Sequence, residues 1–365
     1  MPVVACVMMQ KDESVLLEPW LTYHGHLFGL EHLYVIDNGS VRPDVRSTLE
    51  RFAAKGVHVD YTHTTREDYL NKGDIVGAWI RQLDAAGTYD FFFPTDCDEF
   101  LLKQTATGFT CDRTAIHNYL VTLLREPQTL RMRYQLDNHP LLPDCYVHAG
   151  SSKTFFAASA FGWTDHGHHC DGSRLAEGSR YTALVHAHFH HMPFERLIQT
   201  ARQRWIGSID IDDRNGLVNY TGPSAHLARY LLMTRDEYYG QFNKKMLIHF
   251  PQLRTLLRQL GAPLDIPQGD ASPGAFDYGE SNWTIFYAPS YLQKDSYLLA
   301  NPDVAAAGMD AMQHYFDFGF RENRRLAPPN RPMPAPPRVI ENTSKRRSRP
   351  RKNMHAAPNT PRGTA

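Results

Sequence analysis

Three carboxylates, Asp96, Asp98 and Glu99, crowd into FFFPTDCDEFLL (residues 91–102), directly after an apolar run. In an extended chain residues i and i+2 face the same side, so Asp96 and Asp98 can converge while Cys97 points away. Uncompensated neighbouring carboxylates repel, and the arrangement persists most easily when a divalent cation neutralises it. Oxygen ligands favour a hard ion, Mn2+ or Mg2+. Held with open positions, such an ion can bind a diphosphate and stabilise charge on a leaving phosphate. The competing reading of Asp-x-Asp-Glu taken alone is a solvated turn with a helix cap. Imidazole is a suitable further donor for Mn2+-like ions. Histidines concentrate at His166, His168 and His169, and again at His186, His188, His190 and His191, out of 19 in the chain. On a strand, LVHAHFHH puts His186, His188 and His190 on one face. A separate zinc site there lacks a Cys or Glu partner at a recognisable spacing.

These residues need a frame. VVACVMM (3–9) reads as a buried strand, followed by an amphipathic helix with Val15, Leu16, Trp20, Tyr23 and Leu27 at helical spacing. Leu33–Ile36 form a second buried strand that ends in the turn Asp37-Asn38-Gly39-Ser40. A helix over 44–54, a strand over 57–62 and a helix over 74–86 lead into the Phe91–Phe93 strand. Strands alternating with helices predict βαβ units and a mostly parallel α/β sheet. In such sheets ligands sit outside the carboxyl ends of the strands, where Asp37 and residues 96–99 both fall. From about 128 to 192 the pattern turns strand-rich. Residues 194–207 and 225–261 read as helices, and 263–284 as a Gly/Pro/Asp-rich linker.

Bulk composition narrows the classes. Hydrophobic residues at 42% and charged residues at 21% exclude wholesale disorder. The zero formal net charge conceals an asymmetry, because Pro328–Ala365 holds nine Lys/Arg and one acid, Glu341. The preceding residues therefore carry 30 basic against 38 acidic side chains. An acidic body argues against nucleic acid as a partner, since phosphate neutralisation needs a positive face. The five cysteines are scattered without a CxxC pair, which suits a reducing compartment. With neither a secretory leader nor a run of ~18–20 apolar residues, the expected address is cytoplasmic, with peripheral attachment at the inner membrane face left open.

Taken together, KDE…LLEPWLTYHGHLFGLEHLYVIDNGS and TDCDEFL resemble glycosyltransferase family 2, in a subgroup with a D-N-x-S strand end and an (D/A)-x-DEF motif. The likeness runs in order over roughly residues 3–210. It implies a GT-A fold and inverting, metal-dependent transfer of a sugar from a nucleotide-sugar donor, a UDP-sugar, to a glycan or lipid-linked acceptor. It further implies that Asp37 accepts a hydrogen bond from the donor base, that Asp96 lies near ribose and metal, that Asp98 is the main metal ligand and that Glu99 holds the loop. Lys72, in NKGD, is a candidate for phosphate or base contact. The HAHF run occupies the place of a late histidine ligand, with His188 favoured and His186 second. One departure is SVRPDVRST, which stretches the spacing after DNGS, so Asp44 is given no role.

Inverting transfer needs a base for the acceptor hydroxyl. In WTDHGHHCDGS (163–173) the available acids are Asp171 and Asp165, with His169, His166 and His168 as alternatives, and spacing does not select among them. Lys153 and Arg174 could contact diphosphate, although isolated basic residues are usually solvated. DSYLLANPDVAAAGMDAMQHYFDFGFRENRR resembles a helical module of bacterial surface-polysaccharide proteins. Asn301-Pro302-Asp303 would start one helix, Gly308 end it and Asp310 cap the next. The expected layout is a GT-A domain over 1–262, the linker, the module over 285–327 and a basic, Pro-rich disordered tail over 328–365. Module and tail could serve a membrane surface or a polysaccharide-assembly partner. Two other readings use the same residues: a metal-dependent phosphohydrolase or nucleotidyltransferase, and a non-catalytic glycan-binding scaffold.

Overall fold

A computed structural model of the chain describes residues 1–105, 108–150, 153–205, 210–220, 225–242, 247–266, 285–287, 290–291, 294–309, 311–314, 322 and 324–325. Most of the linker, Asp310 and the tail lie outside them.

The first half alternates as its periodicity predicts. Strands β1 (Val4–Gln10), β2 (Leu33–Asp37), β3 (His58–Asp60) and β4 (Phe91–Thr95) are separated by helices α1 (Leu17–Phe28), α2 (Pro43–Ala53), α3 (Arg66–Leu70) and α4 (Lys72–Ala85). β1 pairs in parallel with β2 on one side and β4 on the other, and β2 pairs in parallel with β3. Chain order therefore reverses between β1 and β4, which opens a crevice at their carboxyl ends. β1 is buried on both faces, as central parallel strands are. Cys6 and Met8 pack with Trp20, Leu21, Phe91 and Phe93, whereas Ala5 and Val7 pack with Val76, Ile80, Phe92 and Phe156. Each of these large side chains contributes about 1.5–3 kcal/mol by leaving water.

After β4 the chain turns a corner into a second sheet through β5 (Glu99–Thr105) and β6 (Gly108–Thr110), and α5 (Arg113–Val121) follows. The strand-rich middle comprises β7 (Thr129–Arg131), β8 (Gln135–Asn138), β9 (Cys145–Ala149), β10 (Thr154–Ala157), β11 (Phe161–Thr164), β12 (Asp171–Ser173), β13 (Ser179–Tyr181) and β14 (Leu184–His188). β10 joins the first sheet antiparallel to β4. β14 lies between β5, antiparallel, and β8, parallel. Pro94 is tolerated in a central strand because the β10 ladder covers only Phe91 and Phe92.

Helix α6 (Phe194–Trp205) forms where expected. The stretch 225–261 is not helical throughout: between short helices at Ala225–Leu231, Arg235–Gly240 and Gln252–Gln259, residues Leu247–His249 form β15, antiparallel to β9. The buried run through Ile248 and Phe250 is too short for apolar periodicity to distinguish strand from helix. Towards the C-terminus, helices span Lys294–Ala300, Pro302–Ala306 and Ala311–His314. Pro302 opens the second helix and Gly308, at φ 66°, follows its end. The Tyr297 hydroxyl lies 2.8 Å from His314 Nδ1, and Asn301 donates to the carbonyls of Tyr297 and Arg325. Among the described residues no helix is long and apolar enough to cross a membrane.

Candidate metal centre

The corner between β4 and β5 is closed by its own residues. The Asp96 N–H donates to Glu99 Oε2 at 3.0 Å and the Glu99 N–H donates to the Asp96 carbonyl at 3.2 Å. The Phe189 N–H donates to the Asp98 carbonyl at 2.8 Å, bringing the end of β14 over the turn. The antiparallel register then sets His188 opposite Glu99, and the parallel one sets it beside Asp137.

Asp98, His188 and His190 consequently converge, each offering a ligand atom within 4.8 Å of the others. His188 Nε2 is 3.3 Å from Asp98 Oδ2. Its Nδ1 is 2.9 Å from Asp137 Oδ1. Burial works against charge on Asp98, but His188 outweighs it and pulls the carboxyl down to about 2. Burial likewise opposes the imidazolium, yet Asp98 and Asp137 hold His188 well above its ordinary range. One carboxylate and two imidazoles form a donor set that fits a divalent first-row ion better than Mg2+, which takes oxygen ligands.

Asp96 faces elsewhere. Lys72 Nζ and Lys153 Nζ each lie 2.6 Å from one of its oxygens, and Lys153 is also 2.8 Å from Glu99 Oε1. Both lysine side chains are more than nine-tenths buried. Burial would lower Lys153, but Asp96 and Glu99 outweigh it and keep it charged; Glu99 itself is raised by burial. His186 does not reach the Asp98 group: its fully buried ring sits 3.7 Å from Glu99 Oε2 and makes no hydrogen bond among the described residues.

Asp37 sits at the end of β2, with Oδ1 accepting from Gln10 Nε2 at 2.6 Å and Ser40 Oγ at 2.5 Å, and Oδ2 accepting from the Ser40 N–H at 3.1 Å. At 3% exposure it first of all ties β1 to the DNGS turn. Lys72 reaches Asp96 because α4 seats closely on the 164–165 loop. A Cβ on Gly73 would meet the Thr164 carbonyl oxygen at 2.7 Å, so only glycine allows that approach. In this loop Asp165 Oδ1 accepts from the His169 N–H at 2.8 Å. Asp171 is held by Arg131 Nη2 at 2.7 Å, and the His169 carbonyl accepts from Arg131 Nη1 at 2.8 Å. His168 is fully buried at φ 58°, and burial keeps its imidazole neutral.

The sequence did not single out Asp137, passed over His190 as a ligand and offered Lys153 as a diphosphate contact rather than as a partner of Asp96 and Glu99. The alternation in HAHFHH carried a signal for His190. Asp137 and Lys153 had none, because their placement depends on strand pairing across 51 and 57 residues.

No family model and no curated protein matches the chain. Solved structures with a likeness include glucosyl-3-phosphoglycerate synthase from Mycobacterium tuberculosis with Mg2+ and uridine-diphosphate, at 16% identity over 55% of this chain and 76% of that one, TM-score 0.28. The same synthase with phosphoglyceric acid is matched at 18% identity over 38% of this chain and TM-score 0.22, and the match spans only 44% of that protein's length. S. aureus TarS is matched at 10% identity over 66% of this chain and 45% of that one, TM-score 0.30.

Proposed function

We propose that this chain is a metal-dependent glycosyltransferase of the GT-A type. It moves a sugar from a nucleotide-sugar donor, a UDP-sugar, to a hydroxyl of a glycan or lipid-linked acceptor with inversion. The observation that carries this reading is the convergence of Asp98, His188 and His190 just past the central strand β4, beside the crevice where strand order reverses. Two buried lysines neutralise Asp96, two residues before Asp98, and so fix the turn that carries the ligand.

Asp98, His188 and His190 would hold Mn2+, whose Lewis acidity stabilises the charge that develops on the departing diphosphate. Lys72 and Lys153, both engaged by Asp96, hold the turn that carries Asp98. The acceptor oxygen forms its bond to the anomeric carbon as the bond from that carbon to the diphosphate oxygen breaks. The electron pair leaves with the nucleoside diphosphate, and the hydroxyl proton passes to a base. Asp165, which accepts from the neutral His169 N–H, suits that role better than Asp171, whose carboxylate is ion-paired with Arg131. Asp37 and the DNGS turn border the place for the base.

UDP-dependent thermal stabilisation tests this. UDP with Mn2+ raises the melting temperature of the wild type, Mg2+ does so more weakly, and Asp98→Ala abolishes the shift. No shift in the wild type with UDP and Mn2+ refutes the transferase reading. Release of free sugar or phosphate in the absence of any glycan acceptor favours a hydrolase.

A further inference from the structure

We propose that the dipeptide Asp137-Asn138, at the end of β8, is the positioning element of the metal centre; this rests on the metal reading above. Asp137 acts on one imidazole through its ring. A carboxylate can only accept hydrogen bonds, so at 2.9 Å Asp137 Oδ1 draws the proton of His188 onto Nδ1 against the longer 3.2 Å approach of the Gln135 amide nitrogen to the same atom. Nε2, 3.3 Å from Asp98 Oδ2, is then the nitrogen left to bind an ion, which it does by giving up its own proton. The side chains of His188 and Asp137 are 14% and 16% exposed, so little water competes for the contact. Such carboxylate–imidazole pairs orient ligating histidines and raise their basicity.

Asn138 acts on the other imidazole through the backbone. Its Oδ1 accepts from the His191 N–H at 2.8 Å and its Nδ2 donates to the His191 carbonyl at 2.7 Å. The amide thus imitates one more rung of the β8–β14 ladder, whose last backbone pair is His188 with Asp137. His190 lies between two fixed points, the Phe189 N–H bonded to the Asp98 carbonyl and the His191 backbone bonded to Asn138. Two consecutive residues therefore fix both nitrogen ligands before any ion arrives.

The test is a Mn2+ titration of the full chain, followed by the paramagnetic resonance signal of free Mn2+, with metal-free melting measured on the same samples. Asp137→Ala and Asn138→Ala weaken Mn2+ binding by about 10–100-fold. The isosteric Asp137→Asn, whose amide oxygen still accepts from Nδ1, loses less than Asp137→Ala. Metal-free melting does not follow this order. Wild-type affinity in both alanine variants overturns the proposal. So does an Asp137→Asn as weak as Asp137→Ala with melting lowered in parallel, which marks a purely structural role. Asp98→Ala is the control for the underlying reading: if it binds Mn2+ like the wild type, the metal centre itself is wrong, independently of Asp137 and Asn138.

Discussion

Both oxygens of Asp96 are taken by buried ammonium groups, and Lys153 bridges onward to Glu99, so four charges balance inside the β4–β5 corner. Removing one partner from such a group strands the others. Lys153→Met is expected to cost about 3–5 kcal/mol, because Asp96 and Glu99 lose their shared cation in a dry site. Adding Glu99→Gln to that variant should recover part of the loss, and urea unfolding of the single and double variants reads both. Equal stability of Lys153→Met and wild type would contradict the arrangement. At this scale the types were legible and the partners were not. Asp98 and His188 stood out by motif and alternation, and they do meet. Lys153 was legible only as a diphosphate contact or a solvated lysine, since only tertiary pairing brings it to Asp96. The DNGS turn announced Asp37, yet nothing in the turn announced Gln10 as its first partner.

Element boundaries in the parallel half followed from local chemistry. The apolar run expected at 33–36 is β2 at Leu33–Asp37, and the one at 3–9 is β1 at Val4–Gln10. Buried parallel strands are continuous apolar runs bounded by polar turns, a pattern readable within a few residues. The pairing of β14 with β8 and β5 was not readable, because it joins segments far apart in the chain and leaves no periodic trace. The centre depends on that pairing: shifting β14 by one residue would turn His188 to the opposite face. The helix expected through 247–249 failed for a related reason, since β9 recruits those residues by edge pairing. Helix α4 illustrates the reverse case. Gly73 is a poor interior helix residue, and its use becomes clear only once the Thr164 carbonyl oxygen is seen 2.7 Å from where its Cβ would be.

Across the whole molecule, histidine serves two opposed purposes. At the crevice His188 is held charged by acids, whereas in the core burial lowers His24 to about 3 and His249 to about 4. The core pair is neutral when folded and titrates near 6.5 when unfolded, so only the unfolded chain gains protons as pH falls below 6.5. The stability these two contribute is complete above 6.5 and is lost on the way down towards 3–4, at about 1.4 kcal/mol per pH unit for each site. Comparing wild type with His24→Leu isolates one site. Between pH 6.5 and 5 the stability difference should move towards the variant by about that slope, and a pH-independent difference would refute it. The proposed function requires that Asp98, His188 and His190 hold a divalent ion that receives a nucleoside diphosphate. Anomalous diffraction at the manganese edge, from crystals grown with Mn2+ and UDP, tests it most directly. The expected result is a single strong peak ligated by those three side chains, with the diphosphate on its open side. A structure with UDP bound and no manganese at Asp98, or with manganese only at the 166–169 histidines, would contradict it.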